Sequence, residues 1–161
     1  MKFSLDKSLE ILKSTPNVIS VMLQNLSDEW TNGNEGENTW TAKEVVAHLI
    51  VCEETDWLPR IKIILNSPET VFSPIDMQAH FEIAKNNELQ TLLNVFKEHR
   101  EMCLNQLKSF ELSESDFLKT GIHPKCGEVT LQQVLSTWVA HDMSHIAQIA
   151  RIIAKQNSEL V

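Results

Sequence analysis

Helix-breaking residues are scarce in this chain, which has four Gly and five Pro in 161 residues, about half their usual share. Together with abundant Leu, Ile and Val, that scarcity argues against a strand-rich sandwich or barrel and for long helices. The three Cys are odd in number and irregular in spacing, so neither a disulfide framework nor a Cys-based zinc finger is supported. Basic residues are outnumbered, 14 Lys+Arg against 22 Asp+Glu, for a net charge of -8. A phosphate-tracking surface is therefore not expected, and neither is a nucleic-acid partner. No apolar run reaches transmembrane length, and residues 1–7 lack the apolar core of a secretory signal. The expected setting is cytoplasmic, with no membrane partner.

What remains fits one domain, 1–161, large enough to bury a core. The Gly and Pro residues concentrate in three segments, roughly 28–40, 66–86 and 111–129, which leave four long gaps with few breakers. In the first gap Leu5, Leu9, Leu12, Ile19, Leu23 and Leu26 recur at helical steps, with a kink or restart expected at Thr15-Pro16. The second opens with a capping box, Thr41 to Glu44, and runs through Val45, Leu49, Cys52 and Asp56 to Ile63, with a kink expected at Pro59. The third opens at Asn87 and keeps step through Leu93, Phe96, Arg100, Cys103 and Leu107. The fourth opens with the box Thr130 to Gln133 and continues Val134, Trp138, His141, His145, Ile149, Ile152. Four amphipathic helices of about 23–28 residues describe an all-α four-helix bundle. Ser113 to Asp116 starts a short helix that Gly121 would end, and 123–128 reads as a turn pinching a tiny hairpin. The second-to-third connection is long enough to span the bundle, so adjacent helices need not be antiparallel.

His141 and His145 are the first chemical signal. At i, i+4 on the inward stripe, two imidazoles share one helix face and can converge on one ion. A bundle core has little use for adjacent imidazoles unless something satisfies their nitrogens. His48, beside the second helix's apolar stripe, is the natural third ligand, although spacing alone does not turn it toward the other two. Three neutral His would hold a divalent ion with positions open for water or substrate. A ferritin-like di-iron site would need two Glu-x-x-His pairs, which are absent. Haem between two axial His stays open as an alternative. His80, His99 and His123 form no comparable cluster and read as surface or loop residues.

The run from Trp40 through Thr41, Lys43, Glu44 and Val45 to His48-Leu49 resembles the second-helix signature of the DinB/YfiT-like superfamily. Thr130 through Trp138, His141-Asp142, His145 and Gln148-Ile149 resembles its fourth helix, His-Asp-x-x-His-x-x-Gln-Ile, and 123–130 is similar to its entry loop. The resemblance implies a four-helix bundle of the DinB/YfiT-like type holding one divalent metal, nickel or zinc, on His48, His141 and His145. It also implies a homodimer and a small-molecule substrate. Activities in the family include S-transfer with a low-molecular-weight thiol, thiol-dependent isomerisation and metal-dependent hydrolysis. An open metal position would lower the pKa of a bound thiol or of water equally well. Thiol S-transfer is the preferred expectation, with hydrolysis second and a non-catalytic metal- or ligand-binding (sensor) protein third.

Several polar residues interrupt the apolar stripes near these histidines. Arg100 either grips a substrate carboxylate or pairs with Glu53 or Glu54, and pairing is the favoured reading. Asp142 is placed to orient His141, and Gln148 to bond near the site. Cys52, one turn after His48, either approaches the metal or is a small buried core residue. Trp138, one turn before His141, is a candidate pocket wall. No side chain is assigned as general base.

Overall fold

Capping residues and apolar periodicity set out the helices of the computed structural model, which describes residues 3–157. Met1, Lys2 and positions 158–161, the ends of the expected 1–161 domain, lie outside them. Helix α1 (Leu5–Leu23) starts on Ser4, whose hydroxyl accepts from the Lys7 N–H. It runs unbroken through Pro16, so the expected restart does not occur. Proline has no N–H to offer the carbonyl four residues back, which is Leu12. That carbonyl instead accepts a 2.8 Å hydrogen bond from Arg100 Nη1.

A short α2 (Asp28–Thr31) leads to α3 (Ala42–Thr55). The capping box at its start is present as the sequence implies: Glu44 N–H donates to Thr41 Oγ1 and Thr41 N–H to Glu44 Oε2. The second arm breaks at Asp56 (φ -111°, ψ -69°) before resuming as α4 (Trp57–Asn66). The expected kink at Pro59 thus lies one turn earlier, because Pro59 lacks the N–H that would reach Thr55 and its ring crowds that carbonyl.

The stretch read as a plain connection, 66–86, contains a further helix, α5 (Ala79–Asn86), packed on α3. Helix α6 (Leu89–Ser109) begins after Glu88 rather than at Asn87. Asn87 is occupied elsewhere, its side-chain amide donating to Ile83 O at the end of α5. A 3-10 turn (Asp116–Leu118) precedes an antiparallel hairpin of β1 (Thr120–His123) and β2 (Gly127–Thr130), in register Thr120 with Thr130. Gly121 lies inside β1 and does not end the turn. A Cβ there would come within 2.8 Å of Ile64 and Phe72, so the strand can sit this close to α4 only with glycine. Helix α7 (Leu131–Gln156) follows, opened by the Thr130–Gln133 capping box.

The bundle is formed by α1, the α3–α4 arm, α6 and α7: α1 packs on α6 and α7, and α3 packs on α6 and α7. Between them Arg100 is 1% exposed. Its Nη1 donates to Leu12 O and to Asp142 Oδ2 (2.6 Å), and its Nη2 to Asp142 Oδ1 (3.0 Å) and Glu53 Oε1 (2.8 Å). One guanidinium thereby joins α1, α3, α6 and α7. Burial works against its charge, but Glu53 and Asp142 outweigh burial and hold Arg100 protonated. Glu53 is pushed upward by burial against the opposing pull of Arg100, as expected where two carboxylates face one cation. Replacing Arg100 with Met would leave both acids buried without a partner, and should cost about 3–5 kcal/mol of stability. Urea unfolding of the variant checks this, and a loss below about 1 kcal/mol would contradict the linking role.

Candidate metal centre

His48 lies in the second turn of α3, and the next turn presents Cys52 on the same face. His141 and His145 project from successive turns near the middle of α7. The packing of α3 on α7 brings the three imidazoles together through one kind of atom. Nε2 of His141 is 3.2 Å from Nε2 of His48 and 3.2 Å from Nε2 of His145. Cys52 Sγ is 3.5 Å from His48 Nε2 and 3.9 Å from His141 Nε2. Donor atoms of His48, Cys52 and His141 all lie within 4.8 Å of one another.

Burial keeps these rings neutral. It lowers His48 and His141 to about 3, with the neighbouring imidazoles adding to the effect. His145 is lowered too, by burial, although its bond to Gln148 opposes the shift. The 2.8 Å contact from His145 Nδ1 to Gln148 Oε1 requires the proton on Nδ1 and leaves a lone pair on Nε2. Three neutral imidazoles with His141 Nε2 at 3.2 Å from each of the other two Nε2 atoms cannot satisfy one another, since His141 Nε2 can donate to only one neighbour. A cation held among His48, Cys52 and His141 satisfies what they cannot, so these residues fit a divalent ion, with His145 bordering that group through His141.

Aromatic rings frame the cluster. Trp40 lies 4.9 Å from the His48 ring and stacks parallel to His145 at 6.2 Å. Trp57 meets His141 edge-on at 5.1 Å. An open cleft of about 400 Å³, lined by Glu35, Asn38, Thr39, Trp40, His145 and Gln148, reaches the cluster from outside. A larger groove of about 650 Å³, between the start of α1 and the 3-10 turn, includes none of the cluster residues.

The other residues singled out from sequence fall in three places. Gln148 is at the cluster, bonded to His145. Arg100, Glu53 and Asp142 form the buried network described above: Asp142 spends both oxygens on Arg100, not on His141. Trp138 is fully buried, donates to Glu53 Oε1 at 3.2 Å and stacks on Trp57, so it lies beneath the cluster and lines no cleft. Farther along, Glu54 contacts His99, and Asp56 pairs with Arg60.

His80 requires a correction. Read as a surface or loop residue, it is fully buried on α5, 4.3 Å from the Trp40 ring and 5.6 Å from that of His48. Sequence reasoning missed it because it missed α5. Trp40 and Trp57 also pack against the cluster without having been singled out as site residues from the sequence. The one signal legible in sequence is that Trp40 directly precedes the capping Thr41.

Fold and cluster together define a class, a four-helix bundle with a buried cluster of metal-binding side chains between two of its arms. The model of the DinB superfamily matches residues 11–149, and the chain belongs to that family. It is 24% identical over 150 residues to "Putative metal-dependent hydrolase YfiT" of Bacillus subtilis (strain 168), covering 91% of this chain and 83% of that protein. It is 20% identical over 148 residues to "Putative metal-dependent hydrolase OB0782" of Oceanobacillus iheyensis, covering 91% and 84%. The solved structure of Bacillus subtilis YfiT, described as a four-helix bundle of unusual topology, superposes with a TM-score of 0.83 at 22% identity, covering 96% of this chain and 90% of that one. A mycothiol-dependent maleylpyruvate isomerase shares the fold with a TM-score of 0.66 at 17% identity, covering 96% of this chain and 68% of that one.

The lowered histidines make the metal-free protein sensitive to acid. In the unfolded chain His48 and His141 return to 6.5, while in the fold both stay near 3. The unfolded chain therefore binds more protons between those values, and stability is lost as pH falls below about 6.5, by about 1.4 kcal/mol per pH unit for each imidazole. Asp56, raised to about 6 chiefly by burial, and Glu53, also raised by burial, run the opposite way, Asp56 offsetting about one imidazole between its unfolded value and 6, while the lowered His145 adds to the loss. Urea midpoints should fall from pH 7 to pH 5, with a shallower fall in His141→Asn. A midpoint that rises on acidification would contradict the assignment.

Proposed function

We propose that this protein is a metal-dependent enzyme acting on a small molecule. His48, His141 and His145 hold one divalent ion, nickel or zinc, and the reaction is thiol S-transfer. The observation that carries this reading is the convergence of neutral Nε2 atoms at 3.2 Å separations beside an open cleft. A divalent ion bound there supplies the charge that keeps a thiol as thiolate, or water as hydroxide, near neutral pH. Membership of the DinB superfamily supports the metal, and the fold shared with a mycothiol-dependent isomerase favours a thiol as the group activated.

The chain's own side chains have separable tasks in this reading. Gln148 holds the His145 proton on Nδ1, so that Nε2 stays available. Trp40, half-buried between cleft and cluster, walls the entrance and limits water around the imidazoles. Asp142, bonded through both oxygens to Arg100, is not free to move a substrate proton. The reading also carries a homodimer, as the family resemblance implies. Hydrolysis is the second reading, favoured by the names of the relatives.

Protein purified without a His tag from metal-replete medium should carry about one divalent ion per chain, measured by elemental analysis. His145→Ala should reduce that occupancy at least tenfold, and wild type should keep its metal as pH falls to about 5, since burial holds the ligand imidazoles neutral well below 6.5. Metal-free wild type, or unchanged occupancy in His145→Ala, would overturn the ligand assignment.

Conjugation of a model electrophile with a low-molecular-weight thiol should require the metal-loaded protein and fall to background in His145→Ala. Ester or amide hydrolysis without thiol dependence would establish the second reading. Neither activity in a metal-loaded protein would make it a binding protein.

A further inference from the structure

The three histidines do not account for the whole cluster. Cys52 is fully buried, one helical turn from His48, and its sulfur is directed at the same point as the imidazole nitrogens. In a tetrahedral zinc site, with Zn–N of about 2.0–2.1 Å and Zn–S of about 2.3 Å, neighbouring nitrogens stand about 3.3 Å apart and nitrogen and sulfur about 3.6 Å apart. The two nitrogen separations here are 3.2 Å each, and the two sulfur separations are 3.5 and 3.9 Å. These are four of a tetrahedron's six edges; His145 meets His141 at 3.2 Å but lies outside the group of His48, Cys52 and His141 whose donor atoms are all within 4.8 Å of one another. Cys52 Sγ thus lies within reach of two imidazole nitrogens at once. Cys103, also buried, shows the ordinary alternative: its thiol donates to the backbone carbonyl of Glu53 at 3.5 Å.

We propose that Cys52 is the fourth ligand of the metal, completing a His3Cys tetrahedral set. The proposal rests on the reading that His48, His141 and His145 hold the ion. On coordination the Cys52 S–H bond breaks, its electron pair becomes the sulfur–metal bond, and the proton passes to solvent. Nothing is oxidised or reduced.

Two consequences distinguish this site from an open three-histidine site. A set of three imidazoles and one thiolate in tetrahedral array selects zinc over nickel, because nickel(II) favours square-planar or octahedral surroundings. The resting site is also closed by the chain itself. An incoming thiol or water must displace the Cys52 sulfur or enter as a fifth ligand, so the metal is activated only when substrate occupies the cleft beside Trp40 and His145.

The experiment is reconstitution of metal-stripped, untagged full-length protein with cobalt(II), in buffer free of added thiol. Tetrahedral visible bands together with a near-ultraviolet thiolate-to-cobalt charge-transfer band are expected. The charge-transfer band should be lost in Cys52→Ser and kept in Cys126→Ser, and zinc affinity in Cys52→Ser should drop at least tenfold by chelator competition. Visible bands with no charge-transfer band in wild type would overturn the proposal while leaving the three-histidine reading standing. Failure of wild type to bind cobalt or zinc at all would overturn both. Should Cys52→Ser not fold, zinc-edge X-ray absorption on wild type decides the matter: one sulfur at about 2.3 Å supports the proposal, and an all-nitrogen and oxygen shell refutes it.

Discussion

The Arg100 guanidinium is the interaction on which the rest of this structure depends. It reaches Leu12 on α1, Glu53 on α3 and Asp142 on α7 from its own place on α6, so all four arms of the bundle meet at one cation. Pro16 takes part by omission. By withholding the N–H that would have bonded Leu12 O, it leaves a helix-interior carbonyl free for Arg100. A buried ion network of this kind adds little net stability against a well-packed apolar core, but it penalises any other register severely, since a shifted helix leaves a charge unpaired. Glu53 adjoins Cys52 and Asp142 adjoins His141. Fixing the two acids therefore fixes the position of α3 against α7, and with it the distances among the donor atoms.

That positioning allows a cluster which is unfavourable by itself. Three neutral imidazoles and a thiol, removed from water and pointed at one another, lack partners for several lone pairs, and burial of unsatisfied polar atoms costs stability. His141 Nδ1 and both nitrogens of His80 are likewise buried without a hydrogen-bond partner among the described residues. Strain of this sort persists where surrounding packing over-determines it. Here Trp57, itself stacked on buried Trp138, packs edge-on against His141, and Trp40 lies beside His48 and His145 at the mouth of the cleft. The same frame that lowers the histidine pKa values keeps them in the neutral form that a cation requires.

Much of this was legible along the chain because it depends on neighbours in sequence. Capping boxes are a matter of residues three apart, and both occur where Thr41–Glu44 and Thr130–Gln133 place them. The i, i+4 spacing of His141 and His145 puts them on one face in any helix. The break in the second arm was displaced to Asp56 because Pro59 acts on the turn before it. Helix α5 went unseen because its eight residues give only about two turns of periodicity directly after the proline-marked stretch 68–74, and it is stabilised by packing on α3. With it went the burial of His80.

By itself the sequence determined the helical class, the two helix starts marked by capping boxes and the presence of potential metal ligands on two inward faces, because helical periodicity and capping are local properties. Only the tertiary structure decided which faces meet. It turned Asp142 to Arg100 instead of to His141, buried Trp138 under the cluster, brought Trp40 to the cleft and set Cys52 at coordination distance. Those outcomes depend on the relative position of α3 and α7. That position follows from a cation on a third helix and a carbonyl left free on a fourth, and no spacing within one helix encodes it.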